Sequence, residues 1–187
     1  KEGNIWIASA PSGMIQKYTH DGSKLLLQIG QKGKLDSSDG TDKGKPLNSP
    51  AATFYMPSSI FVDRQNGDVY VSDGEGFDSN KRVAVFDRNG TFLRQWLPDM
   101  RRVHCMTIAN DGTVYVCDRD GGKILLYDKM GKSMEMSGGS AANTVVGIAA
   151  LGGRPAFIGK VGADKLGEIF SHDIKVAGVH FHPGAPR

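Results

Sequence analysis

Three near-copies of one short strand, GNIWIAS (Gly3–Ser9), GDVYVSD (Gly67–Asp73) and GTVYVCD (Gly112–Asp118), limit what this chain can fold into. Recurrence of one β-type unit predicts an array of similar small sheets rather than a single mixed core. The recurrence stops near Ser133. From there MEMSGGSAANTVVGIAALGGRPAFIGKVGADKLGEIFSHDIKVAGVHF has helical spacing and glycine-rich turns, with no trace of the repeat. Two parts are expected, residues 1–132 and residues 133–187.

The second copy shows the full unit. SSIFVDRQNGDVYVSDGEGFDSNKRVAVFDRNGTFLRQW reads as strand, turn, strand, loop, strand, turn, strand. Ile60 and Val62, then Val69 and Val71, alternate with other residues at the period of a half-buried strand. Asn66-Gly67 and Asn89-Gly90 are strong hairpin dipeptides because both residue types tolerate positive φ. The third copy repeats this order in MTIANDGTVYVCDRDGGKILLYDKMGK, whereas the first starts at GNIWIAS without an opening strand. Four antiparallel strands per unit make the blade of a β-propeller, and the Gly67-to-Gly112 spacing fits a blade of about 40–45 residues. The longer Gly3-to-Gly67 interval holds a polar insertion, QKGKLDSSDGTDKGKPLNSPAATFYMP, of the kind that carries binding on propeller loops. Tyr18, Phe86 and Tyr127 recur near the third strand of each unit and are expected to pack blade on blade.

Composition narrows the class. Of 187 residues, 39% are hydrophobic and 23% charged, which fits a soluble globular chain. A net charge of +3 falls short of the dense basic face of a nucleic-acid module, and Lys81-Arg82 and Arg101-Arg102 lack interleaved aromatics. No apolar run is long enough to cross a bilayer and no signal-like start is visible. A soluble chain is expected, with neither nucleic acid nor membrane as partner and the compartment left open.

The two cysteines, Cys105 and Cys117, fall opposite each other if Asn110–Gly112 form a three-residue hairpin loop. Their Cα atoms would then be near disulfide range, although adjacent-strand bridges are usually strained. Two free, mostly buried thiols are the first expectation and a disulfide the alternative. Neither cysteine has a histidine at nucleophile–base spacing.

GNIWIAS…GMIQKYTHDGSKLLLQIGQKG…MPSSIFVDRQNGDVYVSDG…NKRVAVFDRNGTFLRQW resembles the NHL-repeat propellers, closest to the six-bladed peptidylglycine-amidating-lyase-like group. That resemblance implies a zinc ion held by histidines from several blades, with a tyrosine near it. Thr53 stands where the first zinc histidine would fall, and Glu75 where the tyrosine would follow Asp-Gly. Threonine offers zinc no imidazole nitrogen and Glu75 no phenol. His20 and His104 are expected at surfaces or turns. Asp36, Asp39 and Asp42 are spaced like part of a calcium loop, but the closing glutamate is missing, so a solvated loop is expected. No metal ligands and no cofactor are assigned, zinc and calcium included.

In the glycine-rich part, Ala142, Val145, Val146, Ala149 and Ala150 predict an amphipathic helix over Ser140–Leu151, ended by Gly152-Gly153. Pro155–Val161 reads as a strand and Ala163–Ala177 as a second helix, with Leu166, Ile169, Phe170, Ile174 and Val176 apolar. VHF then begins another strand, and this order implies parallel pairing. SGGSAANTVVGIAALGG…FIGKVGADKLGEIF resembles the amino-terminal part of PfkB or ribokinase-type carbohydrate and nucleoside kinases, although Val145 replaces a small residue. By that resemblance Gly138, Gly139 and Asn143 would approach sugar hydroxyls. The family's nucleotide motif and catalytic base have no counterpart in the sequence, and no Walker-type Lys-Ser/Thr follows Gly138-Gly139. His180 and His182 are expected in an exposed tail.

The expected fold is mainly β: a partial, about three-bladed NHL-type propeller followed by a short ribokinase-like α/β segment. The expected function is non-catalytic binding or self-association, with no catalytic residues assigned. One alternative is a carbohydrate or nucleoside kinase represented by its substrate-side segment. Another is a metal-dependent propeller lyase or hydrolase. Three blades leave two open sheet faces, expected to expose Val69, Val71, Val114 and Val116. Two half-rings could then close a six-bladed homodimer; otherwise the α/β segment caps one face.

Overall fold

The computed structural model describes residues 3–134 and 139–184. The chain divides into two compact units, Lys1–Met134 and Glu135–Arg187.

The first unit is a stack of three antiparallel sheets. Blade 1 holds β1 (Ile5–Ser9), β2 (Met14–Tyr18) and β3 (Leu25–Gly30). Blade 2 holds β4 (Pro57–Val62), β5 (Val69–Asp73), β6 (Arg82–Phe86) and β7 (Phe92–Trp96). Blade 3 holds β8 (Val103–Ile108), β9 (Val114–Asp118), β10 (Lys123–Tyr127) and the short β11 (Ser133–Met134). The strands run in sequence order across each blade, as a partial propeller requires. The hairpins close where the dipeptides place them: Gly67 and Gly90 have φ of 84° and 87°, conformations that cost residues with a Cβ.

Every residue of β5 and β6 is buried. Period-2 alternation divides them between two apolar layers. Val69, Val71, Ala84 and Phe86 join Ile15, Ile29 and Phe54 between blades 1 and 2. Tyr70, Val83 and Val85 join Trp96, Val103, Val114, Val116 and Tyr127 between blades 2 and 3. Phe86 and Tyr127 therefore pack blade on blade as expected, whereas Tyr18 is only half-buried, its hydroxyl donating to Gln16.

The open faces are not where the valines suggested. Val69, Val71, Val114 and Val116 are fully buried, because each pair faces the preceding blade and that blade is present. The equivalent pair of β1 is Ile5 and Ile7, which are 41% and 46% exposed. On blade 3, Ile124 of β10 is exposed on the side away from blade 2.

Cys105 and Cys117 lie opposite each other in the β8–β9 register, as the hairpin count predicts. They are joined in a disulfide with Cα atoms 5.1 Å apart, so the free-thiol expectation is corrected. Both are half-buried rather than sunk in the core.

The second unit contains α1 (Ser140–Ala150), β12 (Ala156–Gly159), α2 (Lys165–Val176) and β13 (His180–Pro183). β12 and β13 pair in parallel, as helix–strand–helix–strand order demands. Ala142, Ile174, Val179 and Phe181 form its small core, with Phe157 and Phe170 against Phe181. Leu166 and Val176, expected as apolar contacts of α2, are 63% and 73% exposed. At 100° per residue Leu166 flanks the stripe of Gly167, Phe170 and Ile174, and Val176 lies on the opposite face. Asp164 caps α2 by accepting from the Gly167 backbone N–H at 2.9 Å. A Cβ at Gly167 would sit 1.9 Å from the Gly162 carbonyl oxygen, so this turn admits only glycine. No helix among the described residues is long and apolar enough to cross a membrane.

Candidate functional site

Antiparallel strand order brings two kinds of connection to opposite ends of the blades. The tight hairpins gather at one end. At the other lie the insertion (residues 31–56) and the loops 74–81, 97–102 and 119–122.

The loop end is organised around Arg82, whose side chain is fully buried. Its Nε donates to Asp73 Oδ2 at 2.9 Å and its Nη1 to Gln95 Oε1 at 2.7 Å. The two terminal nitrogens also donate to the carbonyls of Ser49 and Thr53. Asn80 Nδ2 bridges Asp36 Oδ2 and Asp73 Oδ2, each at 2.8 Å. Burial raises the Asp36 carboxyl, but hydrogen bonds from Ser49 and Asn80 and the nearby Arg82 charge bring it below its ordinary value. Complete burial pushes the Asp73 carboxyl up, against the pull of Arg82 and Asn80. Such a satisfied buried network fixes the insertion to blade 2 and is structural. Asp39 holds its own turn, accepting from the Thr41 backbone N–H at 2.8 Å. Asp36 and Asp39 thus serve separate local bonds rather than a common centre.

Nearer the surface, Glu75 follows β5 and receives two partners. Its Oε2 lies 2.5 Å from Nδ1 of His104 on β8, and its Oε1 accepts from Arg119, just after β9. Beside this trio the Arg102 guanidinium stacks 3.8 Å from the ring centroid of Phe77, itself 70% exposed. Arg102 Nε also reaches Asp120 Oδ2 at 2.7 Å. A carboxylate that orients an imidazole is a pair fit for proton transfer or polar binding. Sequence reasoning missed it, taking His104 as an isolated histidine and Glu75 as a lost tyrosine. A signal was available, since Glu75 and Arg119 each lie within two residues of the end of a repeated strand. The Thr53 hydroxyl is buried without a hydrogen-bond partner, and His20 Nδ1 lies 2.8 Å from the Gly3 carbonyl. Among the described residues no three His, Cys, Asp or Glu side chains converge as a metal site.

A cleft of about 1000 Å³ opens at the hairpin end, lined by Gly3, Trp6, Ile60–Gly67 and Asn110 among others. The Glu75–His104 pair therefore does not look into it.

In the second unit, Gly139 precedes α1 with φ of 122°, and the Asn143 backbone N–H donates to its carbonyl at 2.8 Å. Asn143 is exposed, and Gly138 lies outside the described residues. A groove of about 480 Å³ beside α2 is lined by Gly162, Gly167, Glu168 and His172, among others, but includes neither Gly139 nor Asn143. His180 and His182 are exposed on β13, which makes them strand residues rather than a tail.

Comparison with known proteins divides the chain in the same way. Residues 128–183 match the family model of the pfkB family carbohydrate kinases. The fructokinase of Klebsiella pneumoniae is 44% identical over 50 residues, 27% of this chain and 16% of that protein. Human NHL repeat-containing protein 3 is 29% identical over 140 residues, covering 68% of this chain. This chain spans only 36% of that relative's length. A solved structure from Bacteroides fragilis overlays 72% of this chain and 34% of its own, with a TM-score of 0.50 at 15% identity, a likeness of fold alone. The chain therefore joins an NHL-repeat-like partial propeller to a segment similar to part of a PfkB carbohydrate kinase.

Proposed function

We propose that this chain is a non-catalytic module that works by self-association through the open faces of its blade stack. The carrying observation is the exposure of Ile5 and Ile7. Their counterparts Val69, Val71, Val114 and Val116 are all fully buried against a preceding blade. Burying such side chains is worth about 1.5–3 kcal/mol each, which favours closure onto another blade face. Blade 3 of a second copy offers that face, with Ile124 exposed on it. Two half-rings related by a two-fold axis would make a six-bladed ring that uses no zinc, calcium or other cofactor. The double substitution Ile5→Asp and Ile7→Asp should turn a concentration-dependent dimer into a monomer by light scattering. Unchanged mass for the double variant would refute the reading.

The pfkB family match favours a second reading, in which the glycine-rich unit is the substrate side of a carbohydrate kinase. The non-catalytic reading is supported by the exposed Asn143, which lies outside the described grooves. Incubation with ATP and fructose should give no sugar phosphate above background. Turnover that falls on Asn143→Ala would favour the kinase reading.

A further inference from the structure

The hairpin that joins β6 to β7 reads DRNGT, Asp87 to Thr91. Asp87 organises it. Its Oδ1 accepts from the backbone N–H groups of Asn89 and Thr91 at 2.9 and 2.8 Å, and its own N–H donates to the Thr91 carbonyl at 2.9 Å. Gly90 has φ of 87°, and a Cβ there would sit 3.1 Å from Ile29 of blade 1, so this position favours glycine. The hairpin after β10 closes by the same bonds with different residues. Asp128 Oδ1 accepts from the N–H groups of Met130 and Lys132 at 2.8 and 2.9 Å, and Gly131 has φ of 83°. The turn therefore uses the aspartate and the glycine, and closes equally with Met and Lys in the places of Asn89 and Thr91.

What Asn89 and Thr91 carry together is the Asn-X-Thr acceptor pattern of N-linked glycosylation, with Gly90 between them. Of the seven asparagines in the sequence, Asn89 alone has Ser or Thr two residues on. Asn89 and Thr91 are both exposed. The Asn89 carboxamide makes no hydrogen bond among the described residues. By contrast, Asn66 at the other tip of blade 2 commits its carboxamide oxygen to the Asp68 N–H, and Asn80 is buried between Asp36 and Asp73. The Cys105–Cys117 disulfide is an independent observation, because such bonds persist in the oxidising compartments that secreted chains cross.

We propose that Asn89 is an N-glycosylation site and that this chain passes through a eukaryotic secretory pathway. The donor is an oligosaccharide carried on a lipid diphosphate. Asn89 Nδ2 bonds to the anomeric carbon of the first sugar, the bond from that carbon to the diphosphate oxygen breaks, and the lipid diphosphate leaves as the amide gives up one proton. Nothing is oxidised or reduced. The acceptor stands at a hairpin tip of the central blade rather than on the face that exposes Ile5 and Ile7. The inference is therefore independent of self-association, and either can fail without the other.

The test reads covalent mass under denaturing conditions, which association does not change. The full chain is directed into the endoplasmic reticulum of cultured eukaryotic cells by a cleavable leader. The secreted product should run above 20.1 kDa, return to that mass with peptide N-glycosidase, and carry aspartate at position 89 after the digestion. Asn89→Gln and Thr91→Ala should each abolish the added mass, whereas Thr91→Ser, which keeps the hydroxyl, should retain it. The same digestion should shift the chain recovered from the cells that make it. A secreted, disulfide-bonded chain of 20.1 kDa, a glycan that survives Asn89→Gln, or no shift in the chain from its own cells would overturn the proposal. So would retention of the chain inside the reticulum with Cys105 and Cys117 as free thiols.

Discussion

The central blade and the glycine-rich unit use the same kinds of apolar residue to different effect. In blade 2, β5 and β6 have neighbours on both faces, and all their residues are buried. In the second unit β12 and β13 form a two-stranded sheet in which, among the described residues, Phe181 alone is buried. Ile158 on that sheet is 80% exposed and Leu151, after α1, 91% exposed. A strand's sequence sets which side chains share a face, but burial needs a layer to cover that face. Blade 2 has both layers within its own unit, whereas the small unit has a core of four buried apolar side chains among the described residues.

The largest effect expected from this contrast lies at Arg82. Arg82→Met leaves Asp36 and Asp73 buried without their cation, a loss of about 3–5 kcal/mol. Urea unfolding of the β unit should show it, and a loss under 1 kcal/mol (about a fivefold change in the folding constant) would mean the network is not buried in solution. Next is Phe86→Ala between blades 1 and 2, with an expected cost of about 3–5 kcal/mol, less where the layer relaxes. Phe181→Ala removes the same ring from a thinner core and should cost less, at or below the lower limit of that range, about 2–3 kcal/mol. If Phe181→Ala proves the costlier of the two, the comparison between the units fails.

A smaller effect follows from pH. Asp118 is raised by burial, yet backbone N–H donors from Arg101, Arg102 and Gly121 hold it below its ordinary value. Asp36 and Asp63 are also lowered, Asp63 by Lys129 and the Gln65 backbone N–H against the effect of burial. A lowered folded pKa means the unfolded chain binds protons first. Stability from these groups is complete above the unfolded value of about 3.9 and drains as pH falls through their depressed values. Asp73, pushed up by burial, acts in the opposite sense. Asp118→Asn should make the β unit less stable at pH 7 and flatten its acid transition. An identical acid midpoint in wild type and variant would remove Asp118 from the account. The smallest effect is the cap of α2: Asp164→Ala should cost about 1 kcal/mol and speed amide exchange in its first turn.

Most strands were legible in the sequence because repetition supplied independent copies of one pattern. Asn66-Gly67 and Asn89-Gly90 fixed two hairpins, and the loop count at Asn110–Gly112 fixed the Cys105–Cys117 register. Which faces stay open was not legible. GNIWIAS places Ile5 and Ile7 on one side and Trp6 and Ala8 on the other, so both sides read as apolar. Only the position of blade 2 decides between them. The thiol state was equally hidden, since register brings two sulfurs together whether or not they bond. The Glu75–His104 pair joins separate blades, and single-strand periodicity carries no information about it.

The open-face account rests most directly on the mass of the unmodified chain in solution. Sedimentation equilibrium over a hundredfold concentration range, beginning below micromolar, would measure it. The account predicts a rise from 20.1 kDa toward twice that value. A constant 20.1 kDa across the whole range would contradict it.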